Sequence, residues 1–176
     1  MLRFGGDSGR RRDRVIAGAA VIVVATLFGL FWVTDKGTPL GSREGALASA
    51  QQQVREVAAD AGIAIGGRYN PGASYEACDR RGVPAPAGGP FTLTYTAYGD
   101  LPDRLHIAAL RRLRTALERK DGVEVTAYEE RPQVQEAQLD AADEPHRSHI
   151  AVASAKPPHT VRLAVTTECL QPPTGR

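Results

Sequence analysis

The chain has 176 residues, room for one domain and a short appendage. Its 22 Lys and Arg against 20 Asp and Glu leave a net charge of +2, which argues against a protein that coats nucleic acid. An apolar share of 42% is too high for wholesale disorder, and two Cys are too few for a four-Cys zinc site or an iron–sulfur cluster held by this chain alone.

Charge is unevenly placed. Residues 1–14 carry Arg3, Arg10, Arg11, Arg12 and Arg14 against Asp7 and Asp13, a net of +3, while the remainder nets −1. Val15 to Thr34 (VIAGAAVIVVATLFGLFWVT) holds no charge at all. At the helical rise such a stretch covers roughly 30 Å, the hydrocarbon thickness of a bilayer. Phe28, Phe31 and Trp32 cluster at its far end, where aromatic rings suit the headgroup region. The expectation is a retained transmembrane helix over 15–34, with a basic cytoplasmic segment 1–14. Residues 35–176 would then be extracytoplasmic, giving a single-pass protein of the cell membrane. A cleaved signal peptide fits less well, because the nearest small-residue site, Ala48-Ser49-Ala50, lies far beyond Thr34. No Cys closely follows the span to carry a lipid, and Asp13 and Arg14 interrupt the twin-arginine pattern begun by Arg10-Arg11-Arg12.

Residues 35–41 form a Gly/Pro tether to the domain, read as 42–170. Ser42 caps a predicted helix reaching Ala61, where Gly62 supplies a left-handed stop. Leu47, Ala50, Val54, Val57 and Ala61 form its apolar stripe. From Ile63 to Pro90 the Gly and Pro content predicts a long structured loop around Cys78, with room for one short strand near Ala64–Tyr69. Phe91–Tyr98 alternates apolar and hydroxyl residues, the period of a half-buried strand. Asp100 and Pro102 open a second helix whose buried face is read as Leu105, Ala109, Leu113, Ala116 and Leu117, with His106 toward solvent and Gly122 as the stop. Val123–Glu130 is the next strand, with Val123, Val125 and Ala127 inward and Glu124, Thr126 and Tyr128 outward. Residues 131–148 read as a solvated loop, with room for a short helix at Val134–Ala142. His149–Lys156 and Thr160–Cys169 are two more strands, and 171–176 a flexible tail. The predicted class is α+β: a transmembrane helix, then a two-layer sandwich of two helices on a four-stranded, mostly antiparallel sheet.

The even Cys count and wide spacing point to a structural disulfide between Cys78 and Cys169 rather than a redox pair. Asp140, Asp143, Glu144, His146 and His149 are the only concentration of metal-ligand types, and their polar, Pro-broken setting reads as a charged loop. No metal, cofactor or catalytic residue is assigned. No nucleophile elbow, phosphate-cradling loop, dinucleotide fingerprint or HExxH pair occurs. The second sheet face, read as Thr92, Thr94, Thr96, Tyr98, Thr126, Tyr128, Arg162, Ala164 and Thr166, reads first as an ordinary exposed pleated surface, which Thr and Tyr suit, and as the alternative a flat surface that holds a protein or glycan partner. Arg111, Arg112 and Arg114 read as a solvated helix face.

The succession of basic start, apolar span, Gln/Ala-rich helix, Tyr75-x-x-Cys78-Asp79 and the closing Val161-to-Leu170 strand (VRLAVTTECL) resembles small exported proteins of actinobacteria with one disulfide pair and no known function. Arg outnumbers Lys 19 to 3, as in proteins of GC-rich genomes. The resemblance implies export and the disulfide and brings no activity. The expected function is a noncatalytic extracytoplasmic domain that binds a protein or a cell-wall component and no nucleic acid. The alternative is an envelope hydrolase assisted by a metal at His146 and His149.

Overall fold

A computed structural model describes residues 41–155 and 159–172. Its first helix, α1 (Arg43–Ala61), begins where the Ser42 hydroxyl accepts the Gly45 N–H at 3.0 Å and ends at Gly62, whose φ of 69° needs no Cβ. Ala46, Ala50, Val54, Val57, Ala58 and Ala61 form its buried face, and their small size lets the helix lie close to the sheet. The Arg43 guanidinium donates to the Ala85 and Pro86 carbonyls and sits over the Tyr75 and Phe91 rings, so it ties the Pro-rich segment to the helix start.

The second helix, α2 (His106–Leu117), follows a 3₁₀ turn over Asp103–Leu105. That turn delays the helix and shifts its phase. His106, Ala109, Leu110, Leu113 and Leu117 face the core, whereas Leu105 is 40% exposed. His106, expected in solvent, is 2% exposed, with Nε2 2.8 Å from the Leu101 carbonyl and Nδ1 3.0 Å from the Ser154 hydroxyl. Both ring nitrogens are satisfied, which makes it a structural histidine.

The sheet differs from the expected four strands. It has eight: β1 (Ala64–Ile65), β2 (Gly72–Ala77), β3 (Arg80–Pro84), β4 (Phe91–Asp100), β5 (Val123–Arg131), β6 (Glu136–Asp143), β7 (Ser148–Ala155) and β8 (Thr160–Thr167). Their order is β3-β2-β4-β8-β7-β6-β5, with β1 on β4, and every pairing is antiparallel. Strands β2 and β3 occupy the stretch expected to be a loop. They are short and exposed and carry little apolar signal. In place of the second expected loop, β6 turns Ala137, Leu139, Ala141 and Asp143 inward, and three Ala or Asp among four give almost no hydrophobic period. Between β4 and β5 the chain crosses by α2. The two run the same way with β8, β7 and β6 between them, and the meander β5-β6-β7-β8 returns to pair with β4.

No helix among the described residues is long and apolar enough to cross a membrane. This corrects the expected transmembrane helix and the cell-membrane localisation built on it; the stretch 15–34 lies outside the described residues.

Register builds the core in cross-strand rows. Tyr95, Val165, Ile150, Ala141 and Val125 form one; Ala97, Leu163, Val152, Leu139 and Tyr128 form the next. Tyr128 belongs inside because Thr126 is an extra residue: Val125 pairs with Ala141 and Ala127 with Asp140. One inserted residue exchanges the faces of everything after it, so Ala127 goes out and Tyr128 in, the reverse of the sequence expectation. At Gly99, directly across from Val161, any Cβ would collide with the Ile63 side chain.

The Cys78–Cys169 disulfide, with Cα atoms 5.5 Å apart, joins the end of the β2 hairpin arm to the chain just after β8. Beside it Phe91 and Leu170 exchange backbone hydrogen bonds of 3.1 and 2.8 Å. Replacing both cysteines by serine removes a closure of 91 residues and is expected to lower stability by about 4 kcal/mol, measured by denaturant unfolding. A loss under about 1 kcal/mol would mean the β2–β4–β8 junction holds itself together without the bond.

Candidate functional site

Both helices pack on one face of the sheet, and the other face is covered by neither. Register arranges that outer face in three rows. The first runs Ser74, Thr94, Thr166, His149, Ala142, Glu124. The third runs Tyr98, Arg162, Ala153, Gln138, Glu129. Between them lies Gly72, Thr96, Ala164, Ala151, Asp140, Ala127, a row of small side chains crossing six strands.

The middle row carries mostly small residues, Gly72, Ala164, Ala151 and Ala127 among them. Rows on one face lie two residues apart, so the flanking rows stand roughly 13 to 14 Å from each other, and six strands span roughly 24 Å. Ala164, at the centre of the middle row, is 7% exposed. The Thr94 and Thr166 hydroxyls are 3.2 Å apart across the first row, and Tyr69 tilts against Tyr98 at the end of the third. Charge is sparse at the centre and rises toward β5 and β6, where Asp140, Glu124 and Glu129 gather; Arg131 donates to Glu129 at 2.7 Å and holds that carboxyl below its usual range.

Of the residues expected on this face, Thr92, Thr94, Thr96, Tyr98, Arg162, Ala164 and Thr166 share it by strand alternation, whereas Tyr128 lies on the helix side. Sequence reasoning missed Ala151, Ala153, Gln138, Asp140 and His149. The Ala-Val-Ala-Ser-Ala alternation of residues 151–155 was the available signal for the first two, and no signal marked β6 as a strand.

The sheet separates the two histidines considered as a metal pair. His149 stands in the outer row, while His146 lies in the β6–β7 hairpin beside Asp143 on the helix side. Asp140 is outward and Asp143 inward. Among the described residues no group of three His, Cys, Asp or Glu side chains converges to hold a metal ion. No protein-family model, curated protein or solved structure matches the chain.

A charged cluster fixes the far edge of the two layers. Arg111 on α2 donates to both Glu130 oxygens at 2.7 and 2.6 Å, and the Tyr128 hydroxyl donates to the same carboxylate. The Arg111 bonds chiefly hold the Glu130 carboxyl down to about 2, while burial, reinforced by the bond to Glu130, raises the Tyr128 hydroxyl to about 12. Arg111 and Arg114, read as a solvated basic face, are therefore engaged: Arg114 bonds Glu118 and lies over the Tyr128 ring. Because the folded Glu130 carboxyl is depressed, its stabilisation is present above pH 4.5 and disappears as pH falls toward 2. Glu130→Gln is accordingly expected to flatten the stability-versus-pH curve between pH 4.5 and 2, measured by urea unfolding at each pH. An unchanged acid limb would mean that other carboxylates set it.

Proposed function

We propose that this domain is a noncatalytic binding module that holds a protein partner on its open sheet face. The observation behind this reading is the row of mostly small residues, Thr96, Ala164, Ala151 and Asp140, crossing the sheet face that carries no helix. Eight residues of strand by six strands give a face of roughly 27 by 24 Å, about 650 Å², near the roughly 800 Å² that one partner contributes to a specific interface. Its uncharged centre and polar margin have the make-up of such a surface. The roughly 13 to 14 Å between the rows on either side is comparable to the roughly 10 to 12 Å diameter of an α-helix with its side chains, so one partner helix laid across the strands matches the middle row. Basic residues on the partner would meet Asp140, Glu124 and Glu129 over β5 and β6.

The sheet edges are poor alternatives. β3 ends one side with Arg80, Arg81, Gly82 and Pro84, and β5 ends the other with a bulge and the charges of Glu124, Glu129, Glu130 and Arg131. Short charged strands, proline and bulges are the features that keep an edge from recruiting another strand. Binding through the face therefore fits the whole sheet better than strand addition does.

A photo-crosslinking residue placed at Ala151 in producing cells is expected to yield one discrete protein adduct. Placed at Glu118, which caps the end of α2, it is expected to yield none. Ala153→Arg should abolish the Ala151 adduct while leaving the melting temperature within about 2 °C, as for a surface change. No adduct from Ala151, or the same adduct from Glu118, would overturn the reading.

A further inference from the structure

The part of the sheet beyond β4 has no core of its own. From Ala64 to Pro90, through β1, β2 and β3, no residue is buried. Tyr75 and Ala85 are the side chains of this stretch that pack against the hydrophobic core, and Tyr75 meets the Phe91 ring at 5.7 Å between centroids. β2 is held by six registered pairs with β4, from Gly72↔Thr96 to Ala77↔Phe91, and the wholly exposed β3 is held by β2. Arg43 adds its bonds to the Ala85 and Pro86 carbonyls. A two-stranded hairpin with so little burial is marginal in water, and segments of this kind open separately from a core.

The remaining tie is covalent. Ala77 pairs with Arg80, which makes Cys78 and Asp79 the tip of the β2–β3 turn. Cys169 follows β8, and β4 lies between β2 and β8. The Cys78–Cys169 bond therefore clasps the hairpin tip, over the start of β4, to the chain beyond the next strand. Beside that tip β2 covers the edge of a well-buried strand: its partners Phe91 and Leu93 are 1% and 0% exposed. Both half-cystines are themselves exposed, so a small thiolate reaches them without prior unfolding. The opposite edge has no such bond. There side chains tie β5 down, with Arg111 and Tyr128 meeting on Glu130.

We propose that the Cys78–Cys169 bond is a reduction-sensitive latch: once a dithiol reduces it, the β2–β3 hairpin opens from β4 while the β4-β8-β7-β6-β5 sheet stays folded. One thiolate of the dithiol bonds a cystine sulfur and expels the other cysteine as a thiolate. The second sulfur of the reductant then displaces the first cysteine. The dithiol leaves as a disulfide, and its two protons end on Cys78 and Cys169. Opening replaces the Arg- and Pro-bearing β3 edge by the β4 edge from Phe91 to Thr96, whose outward backbone groups then lack partners. The latch thus decides which strand ends the sheet. The proposal does not depend on the open face.

Hydrogen exchange of the full chain, resolved strand by strand with and without millimolar dithiothreitol, tests it. Reduction is expected to finish under native conditions within about an hour, counted by mass after alkylation with iodoacetamide. In the oxidised chain the protected amides of β2 should share the protection of β7 and β8. After reduction they should fall at least about hundredfold below β7 and β8, which remain protected. The double variant Cys78→Ser, Cys169→Ser should show the reduced pattern without dithiothreitol; should it fail to fold, the reduced natural chain carries the comparison. A bond that yields to dithiothreitol only in denaturant would overturn the proposal. So would β2, β7 and β8 losing protection in equal measure, which marks a bond that stabilises the whole domain alike, or a β2 that keeps pace with β7 and β8 once reduced.

Discussion

The pairing of β4 with β8 is the contact on which the rest of the molecule depends. β4 precedes α2 in the chain and β8 is the last strand, so seven registered pairs from Thr94↔Thr166 to Asp100↔Thr160 close a loop that includes one helix and three strands. Without this seam the chain is a β1–β4 arm and a separate β5–β8 meander. Each would expose the apolar row it shows the helices. The seam is braced at one end by the Phe91–Leu170 bridge and the Cys78–Cys169 bond, and at the other by Leu101 N–H donating to the His159 carbonyl. Non-local closure of this kind is slow to form, because chain entropy is lost before the contacts are gained.

The same closure decides which face is left open. With α2 used as the crossover from β4 to β5 and α1 packed against β4 and β8, both helices lie on one side. Inward rows are apolar and filled; outward rows hold Thr, Ala and a few charges. The edges carry arginine, proline and a bulge, so the open face is the broad surface that the fold leaves available. A cavity on the helix side is lined by Val57 of α1, Leu117 of α2 and Ile150 of β7.

Local signals in the sequence anticipated the elements that carry their own punctuation. Ser42 and Gly62 bracket α1, the alternation of Phe91–Tyr98 marks β4, and the spacing of the two cysteines predicts the bond between them. What stayed illegible has physical causes. β6 turns Ala137, Ala141 and Asp143 inward, and small or charged residues leave no hydrophobic period to read. β2 and β3 are short strands whose residues are mostly exposed, so pairing rather than burial defines them. One extra residue at Thr126 inverts the alternation and turns Tyr128 inward, and a 3₁₀ turn shifts the phase of α2 and buries His106, neither of which a regular period anticipates. Neither the outer middle row nor the Gln53–Asp143 contact could be read from spacing alone. The row exists only once six strands are in register, and Gln53 meets Asp143 across 90 residues of sequence.

Native-state hydrogen exchange along β2, β4, β8 and β7 tests the central claim most directly. If the β4–β8 seam unites the sheet, the amides of β4 and β8 should exchange only through global opening, with one shared free energy extending into β7 and β2. Exchange of the β5–β8 meander at distinctly lower free energy than the β2–β4 arm would show two separately opening units and contradict the account.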